Sequence, residues 1–321
     1  MDLKNYTPVK KFAHKNLLTL LDYDTDDILQ VLKTAVILKE QQKAGIPHEV
    51  LKNKKMAMIF SKQSTRTRVS FEVGMYELGG MSLFLDDKDV GLGKREPVKD
   101  MSRVLSRMCD LIMIRTFAQK DVEELAATGS IPVVNGLTDM YHPCQALADM
   151  LTVYEQKKHF AGLKLTYVGD GNNVAHSLMI ICSKLGMNIA IGCPKGFEPD
   201  SAITAATKKI AEQNGCVVEI INDPVTAVAG ADVVYTDVWA SMGQEAQAEQ
   251  KKKNFLPYQV NDELFSQAKD DAIFLHCLPA HRNEEVTDSV IEGPKSYVFD
   301  EAENRLHAQK AVMVLVMGKE V

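Results

Sequence analysis

Phe60-Ser61-Lys62-Gln63-Ser64-Thr65-Arg66-Thr67-Arg68 is the stretch in which a strand hands over to a helix. Before it, residues 56–60 form a short apolar run bounded by the lysine-rich 52–55, the pattern of a buried strand. After it, Val69, Val73 and Tyr76 share one helical face, with Phe71, Met75 and Leu78 beside it, and Gly79-Gly80 ends the helix. Ser64, Thr65, Arg66 and Thr67 therefore sit where the first backbone N–H groups of a helix lack partners and its dipole adds partial positive charge. The hydroxyls add donors, and the planar fork of Arg66 can hold two phosphate oxygens at once. A lone Ser-Thr or Arg-Thr pair would be no more than a capped helix with a surface arginine. Five such residues in one turn describe a phosphate or carboxylate site.

Outward from this turn the alternation continues. Upstream, Asp24 or Thr25 fits a helix N-cap, and Ile28, Leu32, Ala35 and Leu38 recur at helical spacing. Downstream, strands are predicted over 82–85, 111–114 and 131–134, the second ending at Arg115. Residues 86–97 are polar and glycine-bearing, the pattern of a mobile loop exposing Lys94 and Arg95. Asn135-Gly136 and Tyr141-His142-Pro143-Cys144-Gln145 follow the third of these strands, and Pro143 suits the first turn of a helix over 146–154. The charged run 155–159 marks a domain junction. Beyond it, strands are predicted over 165–168, 189–192, 217–221, 233–235, 273–275 and 297–299. Residues 244–254 read as a charged loop or short helix, and 303–317 as a helix with an apolar second half. The alternation places the chain in the α/β class, with a parallel, doubly wound sheet in each of two domains, 1–154 and 155–303.

Composition narrows the function. With 321 residues, 45% hydrophobic and 25% charged, the chain has the make-up of a globular protein. A net charge of -6 argues against a general nucleic-acid binder, so any anion site must be local. No apolar run reaches membrane-spanning length, and residues 1–6 carry no apolar signal segment. Six cysteines, at 109, 144, 182, 193, 216 and 277, lack disulfide-scaffold spacing and read as reduced thiols of a cytosolic protein. No Cys/His cluster has zinc-ligand spacing, so no metal is expected.

In open α/β sheets ligands bind beyond the carboxyl ends of the strands. Ser64 to Thr67, Arg115, His142 with Gln145, Asn172-Asn173, Asp237-Val238-Trp239-Ala240-Ser241-Met242-Gly243, His276-Cys277-Leu278-Pro279 and Arg305 all follow predicted strands. Each has a plainer reading. Arg115 alone would be a rim ion pair, but beside Arg66 it reads as a second phosphate ligand. His142 could be a satisfied core histidine. At a helix start with Gln145 one turn on, it could equally donate with that residue to one oxygen. Cys277 reads first as an inert thiol, because adjacent His276 points away from it in an extended segment. Asp237 is compatible with a helix cap. Gly169-Asp170-Gly171-Asn172-Asn173-Val174 half matches the dinucleotide fingerprint. However, Val174 fills the third glycine position, and Gly192-Cys193-Pro194 stands where an acidic residue is needed, which disfavours a nicotinamide enzyme. No P-loop signature is present.

Together, Ser64-Thr65-Arg66-Thr67-Arg68, His142-Pro143-Cys144-Gln145, Asp237-Val238-Trp239-Ala240-Ser241-Met242-Gly243 and His276-Cys277-Leu278-Pro279 closely resemble the transcarbamylases. The resemblance runs from the first motif to Asp300-Glu301-Ala302-Glu303-Asn304-Arg305, nearly the whole chain. It implies carbamoyl phosphate as co-substrate. The Asp-x-x-x-Ser-Met-Gly segment resembles the ornithine-specific branch; aspartate enzymes use a basic motif there, and putrescine enzymes lack Ser-Met-Gly. By position, the resemblance implies that Ser64, Thr65, Arg66, Thr67 and Arg115 hold the phosphate. His142 and Gln145 orient the carbamoyl group, with His142, Arg115 and Thr67 polarising its carbonyl. The carbonyls of Cys277 and Leu278 receive the carbamoyl amide, and Arg305 closes on the same ligand. Asn173, Asp237, Ser241 and Met242 bind ornithine. The resemblance also implies a homotrimer, a last helix (304–321) packed back on the first domain, and a role in arginine metabolism. One departure stands out: Gly91 occupies the loop position where many relatives carry a glutamine that reaches carbamoyl phosphate.

The implied chemistry suits these residues. An amine attacks the carbonyl carbon of carbamoyl phosphate, a tetrahedral oxyanion forms, and phosphate leaves. Arginines and helix N–H groups neutralise that charge without a metal or cofactor. No covalent intermediate is needed, so Cys277 need not be a nucleophile. The alternatives are a putrescine or modified-ornithine carbamoyltransferase, and a catalytically silent anion-binding module.

Overall fold

The computed structural model describes residues 3–240 and 248–321. The chain divides into two compact units, Met1–Leu151 with Glu303–Val321, and Thr152–Ala302.

In the first unit, β1 (Lys55–Phe60), β2 (Met81–Asp86), β3 (Leu111–Arg115) and β4 (Val133–Leu137) form one parallel sheet in the order β2-β1-β3-β4. Its helices are α1 (Thr25–Lys43), α2 (Thr65–Glu77), α3 (Asp87–Val90), α4 (Val98–Met108), α5 (Gln119–Thr128) and most of α6 (Pro143–Lys157). Met56 to Phe60 and Leu111 to Arg115 are buried throughout, as strands covered on both faces must be. Ile59, Ile112 and Ile114 pack with Met101, Leu105, Val122 and Leu125 of α4 and α5. Each such side chain removed from water contributes about 1.5–3 kcal/mol. Asp24 caps α1 with a complete capping box, and Ser64 caps α2 by accepting from the Thr67 N–H at 3.2 Å.

In the second unit, β5 (Lys164–Val168), β6 (Asn188–Gly192), β7 (Val218–Ile221), β8 (Val233–Thr236) and β9 (Ile273–His276) form a parallel sheet in the order β7-β6-β5-β8-β9. Between them lie α7 (Asn173–Lys184), α8 (Ser201–Gln213), α9 (Pro224–Val228), α10 (Ala248–Phe255) and α11 (Asp262–Phe265), and α12 (Asp288–Ile291) follows β9. Val168, Val234 and Phe274 pack with Trp239, Phe255 and Tyr258 in its core. The last helix, α13 (Val298–Val316), brings residues 303–316 back onto the first unit. There Ser70 of α2 bonds Gln309 at 3.1 Å. A Cβ on Gly74 would lie 3.1 Å from Lys310 and 3.2 Å from Met313, so glycine there lets the two helices approach closely.

Four local expectations change. The strand expected over 131–134 runs from Val133 to Leu137 and so includes Asn135-Gly136. The Asn135 Nδ2 donates to the Leu18 carbonyl at 2.9 Å and to Gln119 Oε1 at 3.2 Å. Gly136 fits because a Cβ would meet Met113 Sδ at 2.8 Å. The strand expected over 297–299 is absent. Phe274 makes only an isolated bridge to Ser296, after which α13 starts at Val298, with Asp300 and Glu301 complementing its N-terminal dipole. Arg305 consequently sits within a helix. The helix expected over 146–154 extends to Lys157, so the charged run 155–159 is largely its last turn. Finally, Val69, Val73 and Tyr76 are solvent-exposed, Tyr76 by 79%, and α2 instead buries Thr67, Ser70, Phe71, Gly74 and Met75.

Candidate active site

In each sheet the strand order reverses once, between β1 and β3 in the first and between β5 and β8 in the second. The crevice beyond the carboxyl ends at such a reversal is where open α/β sheets take ligands.

In the first unit, Ser64 to Thr67 follow β1 and Arg115 ends β3, with Phe60 in register with Arg115. Thr67 is fully buried, and its hydroxyl is the hub. It receives Ser64 Oγ at 3.1 Å, Arg305 Nη2 at 3.2 Å and Arg115 Nη1 at 3.5 Å. Arg305 is 3% exposed; its Nη1 donates to Gln145 Oε1 at 2.7 Å and its Nε to Gln309 Oε1 at 2.9 Å. These partners are neutral, so the guanidinium charge they meet is not cancelled by them. Gln145 Nε2 in turn donates to Asp149 Oδ1 at 2.8 Å, which fixes the amide so that its oxygen faces Arg305. His142 is buried just before α6. Burial first, then the charges of Arg305, Arg115 and Arg66, hold its imidazole neutral well below the usual histidine range. A neutral imidazole carrying one N–H, three guanidinium groups and the N-terminus of α2 make a pocket-forming set suited to a phosphate and an adjoining carbonyl oxygen.

Residues 86–97 carry α3, and Lys94 and Arg95 are exposed. Gly91 has φ +66, and a Cβ there would sit 2.8 Å from Arg95 Cβ. That backbone favours glycine over any residue with a side chain.

In the second unit, Gly169-Asp170-Gly171-Asn172 turns from β5 into α7. Gly171 packs so tightly that a Cβ would lie 2.3 Å from the Pro199 nitrogen. This close approach, not a pyrophosphate, explains the glycine pattern. Asp237 follows β8 and is buried. Its Oδ2 accepts from Asn172 Nδ2 at 2.9 Å, and its Oδ1 accepts from the Val238 N–H at 2.8 Å and the Cys277 thiol at 3.1 Å. Cys277 and Leu278 follow β9, and Leu278 has φ +55, an unfavourable region for a non-glycine residue. His276 pins it. The Leu278 N–H donates to His276 Nδ1 at 2.9 Å, His276 Nε2 donates to Glu285 Oε1 at 3.1 Å, and the His276 N–H donates to Glu301 Oε2 at 2.8 Å. The imidazole tautomer follows from those partners.

Among the described residues, two groups place ligand-type atoms within 4.8 Å of one another: Asp237, His276 and Cys277, and His281, Glu284 and Glu285. In the first, both imidazole nitrogens are spent on Leu278 and Glu285. In the second, Glu284 is bridged to Lys252 and Glu285 serves His276 and the His281 N–H. Neither offers an uncommitted metal-binding set.

The first unit thus gathers Ser64, Thr67, Arg115, Gln145 and Arg305, with Arg66 and His142 coupled to them through charge. Thr65 lies in the same turn and is exposed. The second unit gathers Asp237, Cys277 and Leu278, with Asn173 opening α7. Ser241 and Met242, with Gly243, lie outside the described residues. Sequence reading named Asn172 among the residues after strand ends but gave it no role, whereas it holds Asp237; it missed Glu285, which holds His276. Asn172 stood beside the residue chosen, whereas nothing in the pattern around Glu285 marked it out.

Against known proteins, residues 15–155 match the carbamoyl-P binding domain of aspartate/ornithine carbamoyltransferase, and residues 161–316 match the Asp/Orn binding domain of the same family. An ornithine carbamoyltransferase of Thermococcus kodakarensis is 56% identical over 310 residues, 97% of this chain and 98% of that protein. An ornithine carbamoyltransferase of Pyrococcus furiosus, described as anabolic, is 54% identical over 97% of this chain and 98% of its own. The solved structure of the P. furiosus enzyme superposes with a TM-score of 0.94, covering 98% of this chain and all of that one. That of the Thermus thermophilus enzyme, at 41% identity, covers 96% of this chain and all of its own with a TM-score of 0.85. With both halves matched and both sheets reversing at these residues, the chain belongs to the aspartate/ornithine carbamoyltransferase family.

Proposed function

We propose that the protein transfers the carbamoyl group of carbamoyl phosphate to the side-chain amine of L-ornithine, giving L-citrulline and phosphate, in the biosynthetic direction. The observation that carries this reading is the convergence of Arg115 and Arg305 on Thr67, with the charges of Arg305, Arg115 and Arg66 acting on a neutral His142. The names of the relatives supply the acceptor, ornithine. In this reading Ser64, Thr65, Arg66, Thr67, Arg115 and Arg305 hold the phosphate. His142 and Gln145 orient the carbamoyl group, and Cys277 and Leu278 accept its amide. Asn173, Asp237, Ser241 and Met242 hold ornithine.

Catalysis is placement plus charge neutralisation. The amine attacks the carbonyl carbon, and the imidazole N–H of His142 and the guanidinium of Arg115 stabilise the oxyanion that forms. Arg66 and Arg305 take up the charge of the departing phosphate. The test is ureido product from carbamoyl phosphate with L-ornithine, putrescine, aspartate or N-acetylornithine in parallel. Citrulline from ornithine is expected to dominate. Equal or faster turnover of putrescine would reassign the acceptor, and no turnover of any amine would leave an anion-binding module.

The same reading places the protein in the cytosol as a homotrimer. No helix of the described residues is long and apolar enough to cross a membrane. Val69, Val73 and Tyr76 on α2, with Met81 and Leu83 on the edge strand β2, leave a contiguous run of apolar side chains exposed in the single chain. An exposed apolar face of this kind fits burial against another copy. In that trimer Lys94 or Arg95 stands in for the loop glutamine over a neighbour's phosphate.

A further inference from the structure

Asn172 is bound at both ends of its amide. Oδ1 accepts from the Val174 N–H at 2.9 Å and the Ala175 N–H at 3.2 Å, capping α7, and from the Tyr167 hydroxyl at 3.3 Å. Three donors on the oxygen leave no choice of flip, so Nδ2 must face Asp237, where it donates at 2.9 Å. The bond crosses the point where the second sheet reverses, from the turn after β5 to the residue after β8. A cap needs only the oxygen; the nitrogen does something else.

We propose that Asn172 is a positioning residue for the acceptor: it uses the fixed N-terminus of α7 to lock the rotamer of the Asp237 carboxylate that holds the ornithine amine. This rests on the ornithine reading of Asp237. Asp237 Oδ1 is held by Val238 and Cys277, neighbours on its own strand end and on β9. Among the described residues only Asn172 ties the other oxygen to a helix, and so fixes the plane of the carboxylate. The charged and titratable groups facing the pair are Asp170 in the same turn, ion-paired to Lys251 of α10, Tyr167 of β5, His276 at the end of β9 and Cys277 after it.

Asn172→Asp and Asn172→Ser separate the two jobs. Both retain an N-cap oxygen, and Asp caps as well as Asn does. Aspartate faces Asp237 with an acceptor instead of a donor, whereas serine is too short to reach it. Both are expected to melt with the wild type, to keep the KM for carbamoyl phosphate within about twofold, and to lose about tenfold or more in kcat/KM for ornithine. The Asn172→Asp deficit should shrink between pH 8 and pH 6, because a protonated carboxyl shared between the two aspartates restores a donor, whereas the Asn172→Ser deficit should not. Asp237→Asn is measured alongside. If Asp237→Asn is impaired while both folded Asn172 variants keep wild-type ornithine kinetics, Asn172 is a cap alone and the inference is overturned. If Asp237→Asn itself keeps wild-type kinetics, the ornithine reading of Asp237 fails first. Should one Asn172 variant fail to fold, the other decides.

Discussion

Thr67 shows how much one hydroxyl can organise. It carries no charge, yet two guanidinium groups and a serine converge on it, so the arginines are aimed before any anion arrives. Arg66→Ala is expected to lower turnover roughly a thousandfold, by analogy with arginines that stabilise phosphoryl charge. It should leave the thermal melt unchanged, because Arg66 stands half-exposed at the entrance of α2. Steady-state rates and a circular-dichroism melt check both halves; a variant that unfolds, or keeps its rate, removes the phosphate role. His142 makes a second forecast. Its imidazole is already neutral well above its lowered titration point, so it adds no inflection between pH 6 and 8. The attacking amine resembles a lysine amine with a pKa of ~10.4, and its neutral fraction rises tenfold per pH unit in that window. The rate at subsaturating ornithine should therefore climb from pH 6 to 8 with a log slope near one. A break near pH 6.5 would mean that an imidazole titrates in the rate-controlling step.

Among the elements, α13 was only half legible. Its apolar second half and the acidic first turn are written in residues 300–317, but its start was read as a strand, because Tyr-Val-Phe has strand composition and the single bridge to Phe274 is the whole of its pairing. What the helix does polar-side-in could not be read. Lys310 and His307 are fully buried, Lys310 against Glu77 and His48, and Lys39 of α1 meets Asn304. Burial, then the charges of Lys310, Lys39, Lys43 and His48, push His307 down to about 3. The sign follows: between pH 3 and the unfolded value near ~6.5 the unfolded chain binds a proton that the folded chain does not, so stability falls as pH falls through that window. The His307 contribution at pH 5 is about 2 kcal/mol less stability than at pH 8. His307→Gln should remove that part of the acid loss, and urea unfolding at the two pH values measures it. An equal loss in both proteins would assign the acid sensitivity elsewhere, His142 being the first candidate.

At the scale of the molecule, two parallel sheets followed from strand–helix alternation, because parallel strands require crossover helices and leave their signature along the chain. The candidate anion site was legible for the same reason: apart from Arg305, which stands inside α13, its residues follow strand ends and are chemically conspicuous. Its braces were not: Gln309 and Asp149 stand one helical turn from Arg305 and Gln145, and Glu285 lies close after His276, but polar residues at such spacing are common on solvated faces and only the fold shows what they hold. The stripe of Val69, Val73 and Tyr76 was legible as one face of α2 but not as an exposed one, because apolar residues at helical spacing do not say what will cover them. Tyr76→Lys together with Val69→Asp is expected to shift the sedimenting species from trimer to monomer and to lower activity with it. A protein that sediments as a monomer in both forms would remove the trimer from the proposed function.

The second unit is spliced into the first, and this sets an order of events during synthesis. A growing chain that has just delivered residue 151 holds Ser64, Thr67, Arg115 and Gln145, but not Arg305, which lies beyond the whole second unit on α13. The inserted unit has every strand of its own sheet in hand before the host unit can close. Domains otherwise complete themselves from the N-terminus onward; here the earlier-made sheet must wait some 150 residues for the helix that covers α2. Arg305 is therefore among the last of the candidate site residues that the ribosome makes, and a nascent or truncated chain ending before it leaves Thr67 and Gln145 without the guanidinium that joins them.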